Sequence, residues 1–253
     1  MSDIERRLIV NSDDLGRTSG INEGIFAAHD KGMVTSATLM VIYPAAAEAA
    51  GALDRYPELG VGLHVQMSGG RPLLPPETIP SLVDGEGRFP AKPDGHESPA
   101  GDQVRVEVQA QFDRFCELTG RLPTHLDGHH HCLRQPVIGE ALIDLARQWQ
   151  LPIRRASEAV AGWLAQTDVP TTDVFVEDFY GEEVRLDSLL RMLADVRPGT
   201  TELMCHPGLS DEGLRSDSSY SDKREEELDI LTHPEALAAL ETHGIHLIHF
   251  GQL

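Results

Sequence analysis

The feature that most constrains the fold is a repeated alternation of short apolar runs with helix-like segments. Strand-like runs lie at residues 8–10, 34–42, 60–65, 124–127, 152–154, 174–176, 202–205 and 246–250. Helix-like segments lie at 19–32, 45–55, 104–118, 137–150, 186–196 and 234–243. Because parallel strands need long crossover connections, about eight strands in this alternation predict a mostly parallel sheet. The chain is therefore predicted to be α/β, built as a (β/α)-barrel-like fold or as a doubly wound sheet.

The length of 253 residues allows one α/β domain or two small ones. No repeat, low-complexity tract or linker divides the chain, so residues 1–253 are expected to form a single domain. A Gly- and Pro-rich stretch at about 69–101 interrupts the alternation and predicts a long loop insertion, either over the strand ends or as a disordered surface excursion. Residues 210–222 predict a second polar loop.

The net charge and the cysteine content limit which partners and which cellular compartment are expected for this chain. A net charge of −20 argues against nucleic acid or an anionic membrane as partner, because a polyanion would be repelled. Three unevenly spaced cysteines without a CxxC motif predict neither a disulfide framework nor a thiolate zinc site. The N-terminus lacks an apolar leader, and no stretch approaches the ~18 apolar residues of a membrane span. We expect a cytoplasmic protein with a small-molecule substrate.

Polar residues stand at the carboxyl ends of four predicted strands. In parallel α/β folds these ends meet on one face, where catalytic groups collect. The sequence therefore predicts one site from segments that are far apart along the chain. Its candidate members are Asp13, Asp14, His64, Asp127, His129, His130, His131 and His206.

Structural explanations compete with this hypothesis for each segment. Asp13 and Asp14 are also suited to cap the next helix, His64 to be a hydrogen-bonded core histidine, and His206 to mark a turn before Pro-Gly. Three consecutive histidines beside Asp127 are harder to explain as packing, and they favour metal binding.

Imidazole and carboxylate ligands without cysteine suit zinc, manganese, iron or cobalt better than a pure magnesium or calcium site. Zinc is the default expectation, with magnesium, manganese and cobalt as alternatives. On an extended segment His129 and His131 face one side and His130 the other, whereas His125 lies ~13 Å from His129.

Of two adjacent carboxylates, one can bind the metal while the other accepts a proton, and His206 can protonate a departing amine. This chemistry is hydrolysis of an amide or ester.

Several motifs resemble the YdjC-like carbohydrate deacetylase family, of the chitooligosaccharide deacetylase type, over nearly the whole chain. They are LIVNSDDLG at 8–16, SGINEG at 19–24, VTSATLM at 34–40, GLH at 62–64, GRPL at 70–73, HLDGHHH at 125–131 and CHPG at 205–208, followed by 224–234 and 244–250. The order and spacing of these motifs along the chain are specific to this family. The chain departs from the family pattern at Gly128, Leu133 and Leu209, where the family has serine, histidine and an aromatic residue.

The resemblance implies a (β/α)-barrel-like enzyme that removes the acetyl group from an N-acetylated amino sugar with the help of a divalent metal. It implies the metal ligands Asp14, His64 and His129, with Asp13 as general base and His206 as general acid or oxyanion-stabilising group. It also inclines the expectation towards a homodimer.

Residues expected to support these groups or to contact the substrate are Asp127, His131, Arg71 and Arg154. For Arg154 and its neighbour Arg155, which stand together at a predicted strand end, surface charge is the alternative. Two other functions stay open: a metal-dependent hydrolase of another amide, ester or phosphoester on the same scaffold, and a non-catalytic sugar-binding homologue.

Overall fold

The structure is a computed structural model that describes residues 5–253, without the side chain of Asp217. The strands are β1 Arg6–Leu15, β2 Ser36–Leu39, β3 Gly60–Val65, β4 Leu126–Gly128, β5 Val174–Val176, β6 Gly199–Cys205 and β7 Ile245–Leu247. The helices are α1 Ser19–Lys31, α2 Ala45–Ala52, α3 Gly101–Thr119, α4 Pro136–Trp149, α5 Glu158–Leu164, α6 Leu186–Ala194, α7 Glu212–Asp217, α8 Asp222–Leu231 and α9 Pro234–His243. Residues 1–4 lie outside the described residues, and the prediction that the N-terminus has no apolar leader falls partly on them.

The strands form one sheet in the order β4-β3-β2-β1-β6-β5, with β7 paired to the first half of β1. Every strand pairing within residues 5–253 is parallel. The sheet curls into a half-barrel, which confirms the predicted (β/α)-barrel-like fold. No described helix is both long and apolar enough to cross a membrane.

Strand β1 lies at the centre of the sheet because its apolar residues can be buried on both faces. Leu8, Ile9 and Val10 are at most 1% exposed. Helix α1 follows, and its N-cap is Thr18, one residue before the predicted Ser19; the Thr18 side chain accepts from the Ile21 N–H. The helix ends at Gly32 as predicted. This βα unit places the end of β1 on the face where the other strands also end.

Two parts of the predicted alternation are wrong. Residues 152–154 do not form a strand. Their pairing with β4 is a single parallel bridge between Ile153 and Leu126, made by the Leu126 N–H to the Pro152 carbonyl and the Arg154 N–H to the Leu126 carbonyl. Within residues 5–253 the sheet therefore has seven strands. The predicted polar loop at 210–222 contains α7 and the first residue of α8. Here Asp211 caps α7 by accepting from the Leu214 N–H.

The insertion at 69–101 is packed against the domain, so the disordered-excursion alternative does not hold. The Glu107 carboxylate on α3 accepts from the N–H groups of Leu73 and Leu74. Nε2 of His96 lies 2.6 Å from the Met67 carbonyl oxygen. Ile79, Leu82 and Phe89 are at most 3% exposed. The insertion also borders the strand ends, since its residues 92–94 share a cavity with His130 and His131.

Candidate metal centre and catalytic site

The end of β1 delivers two adjacent aspartates to the same region. The pairing of β1 with β2 shifts register between Ser12 and Leu15, which marks a β-bulge. Within it Asp14 has φ +72°, a left-handed conformation that aspartate tolerates better than most residues. In a regular strand adjacent side chains would face opposite sides of the sheet. The bulge explains how Asp13 borders the cavity while Asp14 contacts His129.

Asp14, His64 and His129 form a buried group of suitable metal ligands. Oδ1 of Asp14 lies 3.2 Å from Nδ1 of His129 and 3.6 Å from Nε2 of His64. One potential ligand atom from each residue lies within 4.8 Å of the other two. The three ligands predicted from the sequence are thus brought together, from the ends of β1, β3 and β4.

The two carboxylate oxygens of Asp14 have different surroundings. Oδ2 accepts from Nη2 of Arg224 at 2.5 Å and lies 3.5 Å from Nη1 of Arg17. Oδ1 is buried and has no hydrogen-bond partner among the described residues. Burial raises the pKa of Asp14, but Arg224 and His129 outweigh it and hold the pKa well below its ordinary value. Asp14 is therefore ionised, with Oδ1 directed at the histidines.

His64 is oriented by a second carboxylate. Its Nδ1 lies 2.7 Å from Oδ1 of Asp127, which leaves Nε2 facing Asp14. Burial opposes protonation, but Asp127 and Asp13 raise the pKa of His64 to about 9. Burial lowers the pKa of His129, so that ring is neutral. A ligating histidine usually has such a carboxylate behind it, and metal binding would displace the His64 proton.

A divalent metal fits these residues. The buried Asp14 oxygen lacks a hydrogen-bond partner, and two imidazole nitrogens face it. One carboxylate and two imidazoles leave positions for water and substrate, as catalytic sites require. A second group, Asp13 with His64 and Asp127, is also close together, but Arg154 already places a positive charge against both of its carboxylates. The Asp14 group is therefore the better metal site.

Asp13 is held by a fully buried arginine. Nη2 and Nη1 of Arg154 donate to Oδ1 and Oδ2 of Asp13 at 2.6 and 2.7 Å. The same guanidinium contacts Asp127 at 2.9 Å and Glu202 at 2.8 Å. Although burial raises the pKa of Asp13, Arg154 lowers it below the ordinary value. Arg154 is 0% exposed, so it is neither surface charge nor directed at solvent.

His206 directly follows β6 and lies near Asp13. Its Nε2 lies 4.0 Å from Oδ2 of Asp13. Its backbone N–H donates to the Glu227 carboxylate on α8, which also accepts from the Tyr220 hydroxyl. Burial lowers the pKa of His206 to about 4, so the ring is neutral near pH 7.

A cavity of about 300 Å³ joins these groups. It is lined by Asp13, His64, His129, His130, His131, Glu177, Tyr180, Met204 and His206. Its volume is at the lower end of the usual range for small-molecule sites, about 300–1,000 Å³. The cavity thus includes both members of the predicted proton-handling pair and two of the three predicted ligands.

The histidine segment differs from the predicted extended geometry. His130 and His131 have φ of +50° and +52°, so side-chain alternation does not apply. Nδ1 of His130 lies 3.0 Å from the Ser68 hydroxyl, and Nε2 of His131 lies 3.0 Å from Oε2 of Glu177. His129 and His131 consequently do not share a metal site.

Arg71 and His125 lie apart from the cavity. Arg71 is exposed and donates to the Glu86 carbonyl within the insertion, so it is not brought to the site. His125 is buried and stacks on Phe250.

Sequence reasoning missed five residues that shape the site. Glu177 and Tyr180 follow β5 and line the cavity, and Glu177 could have been found, since it directly follows a predicted strand. Arg224 and Glu227 project from α8 towards Asp14 and His206. Glu202 lies within β6 and is 0% exposed, and no local pattern distinguishes it from an ordinary strand residue.

Fold and site place the chain among (β/α)-barrel-like proteins with a polar cavity at the strand ends. A family described as YdjC-like protein matches residues 7–242, and the chain belongs to this family. A carbohydrate deacetylase from Geobacillus stearothermophilus is 40% identical over 98% of each chain. A chitooligosaccharide deacetylase from Serratia marcescens is 38% identical over 99% of this chain and 100% of its own. The solved structure of a proposed cellobiose-phosphate cleavage protein from Enterococcus faecalis V583 has a TM-score of 0.93 and 33% identity, with 98% of both chains covered.

Proposed function

We propose that the protein is a metal-dependent carbohydrate deacetylase that hydrolyses the N-acetyl group of an acetylated amino sugar. The observation that carries the proposal is that His64 and His129 line one cavity with Asp13, while Asp14 lies within 3.6 Å of both histidines. Relatives named as carbohydrate and chitooligosaccharide deacetylases support the substrate class. Zinc as the metal, a homodimer and a cytoplasmic location stay predictions.

Different residues of the chain carry out different steps of the reaction. A divalent metal held by Asp14, His64 and His129 would lower the pKa of water and polarise the acetyl carbonyl. Asp13 accepts the proton of the attacking water, while Arg154 fixes the direction of its carboxylate. The water oxygen bonds to the carbonyl carbon, and the C–N bond then breaks. Acetate and a free amino sugar are the products.

His206 protonates the departing nitrogen. Because its ring starts neutral, it becomes an acid only after it receives a proton. Oδ2 of Asp13 lies 4.0 Å from its Nε2, so the proton taken from water has a short route to His206 and then to the amine. Its neutral ring can also donate a hydrogen bond to the oxyanion that forms first.

Removing the metal should abolish acetate release. We expect chelation to lower kcat/KM at least 100-fold, with recovery when zinc, manganese, cobalt or magnesium is added back; elemental analysis before chelation identifies the native metal. The melting temperature should also fall, because a ligand that binds only the folded state stabilises it. His129→Ala should lose the metal, whereas His246→Ala, at an exposed position on β7, should retain it. Full activity of the metal-free protein would refute the proposal.

A substrate panel separates the proposed activity from its alternatives. N-acetylated sugars should release acetate, and phosphorylated sugars without an acetyl group should release no phosphate. Phosphate release would instead indicate a phosphoesterase on the same scaffold. Sugar binding without release of either product would indicate a non-catalytic homologue.

A further inference from the structure

The wall of the cavity beside His206 is aromatic, and the mechanism above does not use it. Tyr180 lines the cavity and is 46% exposed, although it is a large aromatic side chain. It stands on the short segment after β5, where Phe179 is fully buried and Glu177 also lines the cavity. The buried Phe179 anchors this segment, so Tyr180 is held at the cavity instead of moving freely on a loop.

Tyr180 has one covered face and one available face. It stacks on Tyr220 with ring centroids 4.1 Å apart and planes within 10°. Tyr220 is fixed in turn, since its hydroxyl donates to Glu227, the carboxylate that accepts the His206 N–H. The exposed part of Tyr180 therefore belongs to the opposite face and the ring edge. The His206 ring meets Tyr180 edge-on at 5.5 Å.

From this arrangement we propose that the ring of Tyr180 is the platform on which one pyranose ring of the substrate stacks, and that it determines affinity for the sugar. The inference rests on the proposed function. A pyranose presents C–H groups on its faces, and an exposed aromatic ring backed by a second ring offers a rigid apolar surface to them. Glu177 and His131 supply polar groups beside that surface for the hydroxyls.

The position of the platform suits the reaction. Tyr180 contacts His206, and His206 lies 4.0 Å from Asp13. A sugar on Tyr180 is thus adjacent to the residues that handle the protons of its acetamide group. Leu209, where the family pattern has an aromatic residue, is not among the residues that line this cavity. The aromatic surface in the cavity comes from the β5 segment instead.

Kinetics of Tyr180 variants test the proposal. With the β-1,4-linked disaccharide of N-acetylglucosamine as substrate, Tyr180→Ala should raise KM about tenfold and leave kcat within about threefold. Tyr180→Phe keeps the ring and should restore KM to within about threefold of the wild-type value. Trp149→Ala removes another exposed aromatic residue, which packs on Phe112 away from the cavity, and should not change KM. An unchanged KM in Tyr180→Ala, or a fall in kcat alone, would overturn the proposal and leave Tyr180 as packing for His206.

Direct binding separates this inference from the proposed activity. Isothermal titration of the chelated protein with the same disaccharide needs no turnover, and Tyr180→Ala should weaken binding about tenfold. If the wild-type protein binds the sugar through Tyr180 but releases no acetate, the deacetylase proposal fails and the platform stands. If both proteins bind the sugar equally, the platform is wrong whatever the activity.

Discussion

Asp13→Asn should retain the metal and lose most turnover, with kcat reduced on the order of 10²–10⁴-fold. That range is the usual contribution of a positioned general base, and an amide cannot accept the proton of water. Both oxygens of Asp13 now accept from Arg154, so the amide would turn its NH₂ towards a guanidinium nitrogen and lose one of those bonds. Metal content by elemental analysis and kcat for acetate release are the measurements.

Asp127→Asn is the matched control for this substitution. Asp127 also contacts Arg154, but it orients His64 and does not line the cavity. It should therefore lower metal affinity about 10–100-fold, with turnover largely recovered in excess metal. Asp13→Asn should not recover under the same conditions. Loss of metal in Asp13→Asn would make Asp13 a ligand, and unchanged turnover would remove it as the base.

The three predicted ligands lie close together, as expected from the sequence, because their proximity depends on topology more than on local detail. Once strands and helices alternate, the ends of parallel strands must lie on one face. Asp14 and His64 are the second-to-last residues of β1 and β3, and His129 directly follows β4. The position of the carboxylate that orients His64 could also be predicted, since Asp127 is the last residue of a predicted strand. For these residues, strand position was sufficient to predict proximity.

Other parts of the site depend on features that no sequence pattern reveals. The left-handed backbone at Asp14, His130 and His131 occurs at residues other than glycine, so nothing in the sequence marks it. Arg154 was predicted to support the site or to contact the substrate, with surface charge as the alternative, but the sequence does not reveal its burial or its three acidic contacts. Such pairings form between distant segments, and only the folded chain shows them.

Helix α8 is another part of the site that the sequence does not reveal, and its side chains contact both Asp14 and His206. Arg224 and Glu227 are three residues apart, one helical turn, and both are at most 2% exposed. One holds Asp14 and the other holds the backbone of His206 and the hydroxyl of Tyr220. The helix therefore connects the candidate metal centre, the proton-handling histidine and the proposed sugar platform. From the sequence, residues 224–234 were only one of the segments that carry the family resemblance, and no role was predicted for Arg224 or Glu227.

Arg154→Met should be strongly destabilising, by about 3–5 kcal/mol, because it removes the positive charge from buried acidic groups. Arg154 contacts Asp13, Asp127 and Glu202, and none of the four side chains is more than 5% exposed. Even with Arg154 in place, burial raises the pKa of Glu202 to about 8, which shows how costly an ionised carboxylate is there. Thermal unfolding of the chelated protein should show a midpoint lower by about 10 °C.

Two further variants distinguish the effect of the positive charge of Arg154 from the effects of its planar geometry and its burial. Arg154→Lys keeps the charge but not the planar fork that spans both oxygens of Asp13, so its stability should lie between those of the wild-type protein and Arg154→Met. Arg191→Met removes an arginine of 65% exposure that lies beside Glu183 and Asp187, and its cost should stay within about 1 kcal/mol. Equal unfolding midpoints for Arg154→Met and Arg191→Met would contradict the argument, because the buried carboxylates would then need no counter-charge. The expected order, with Arg154→Met lowest, would show that Arg154 stabilises the fold as well as holding the proposed base.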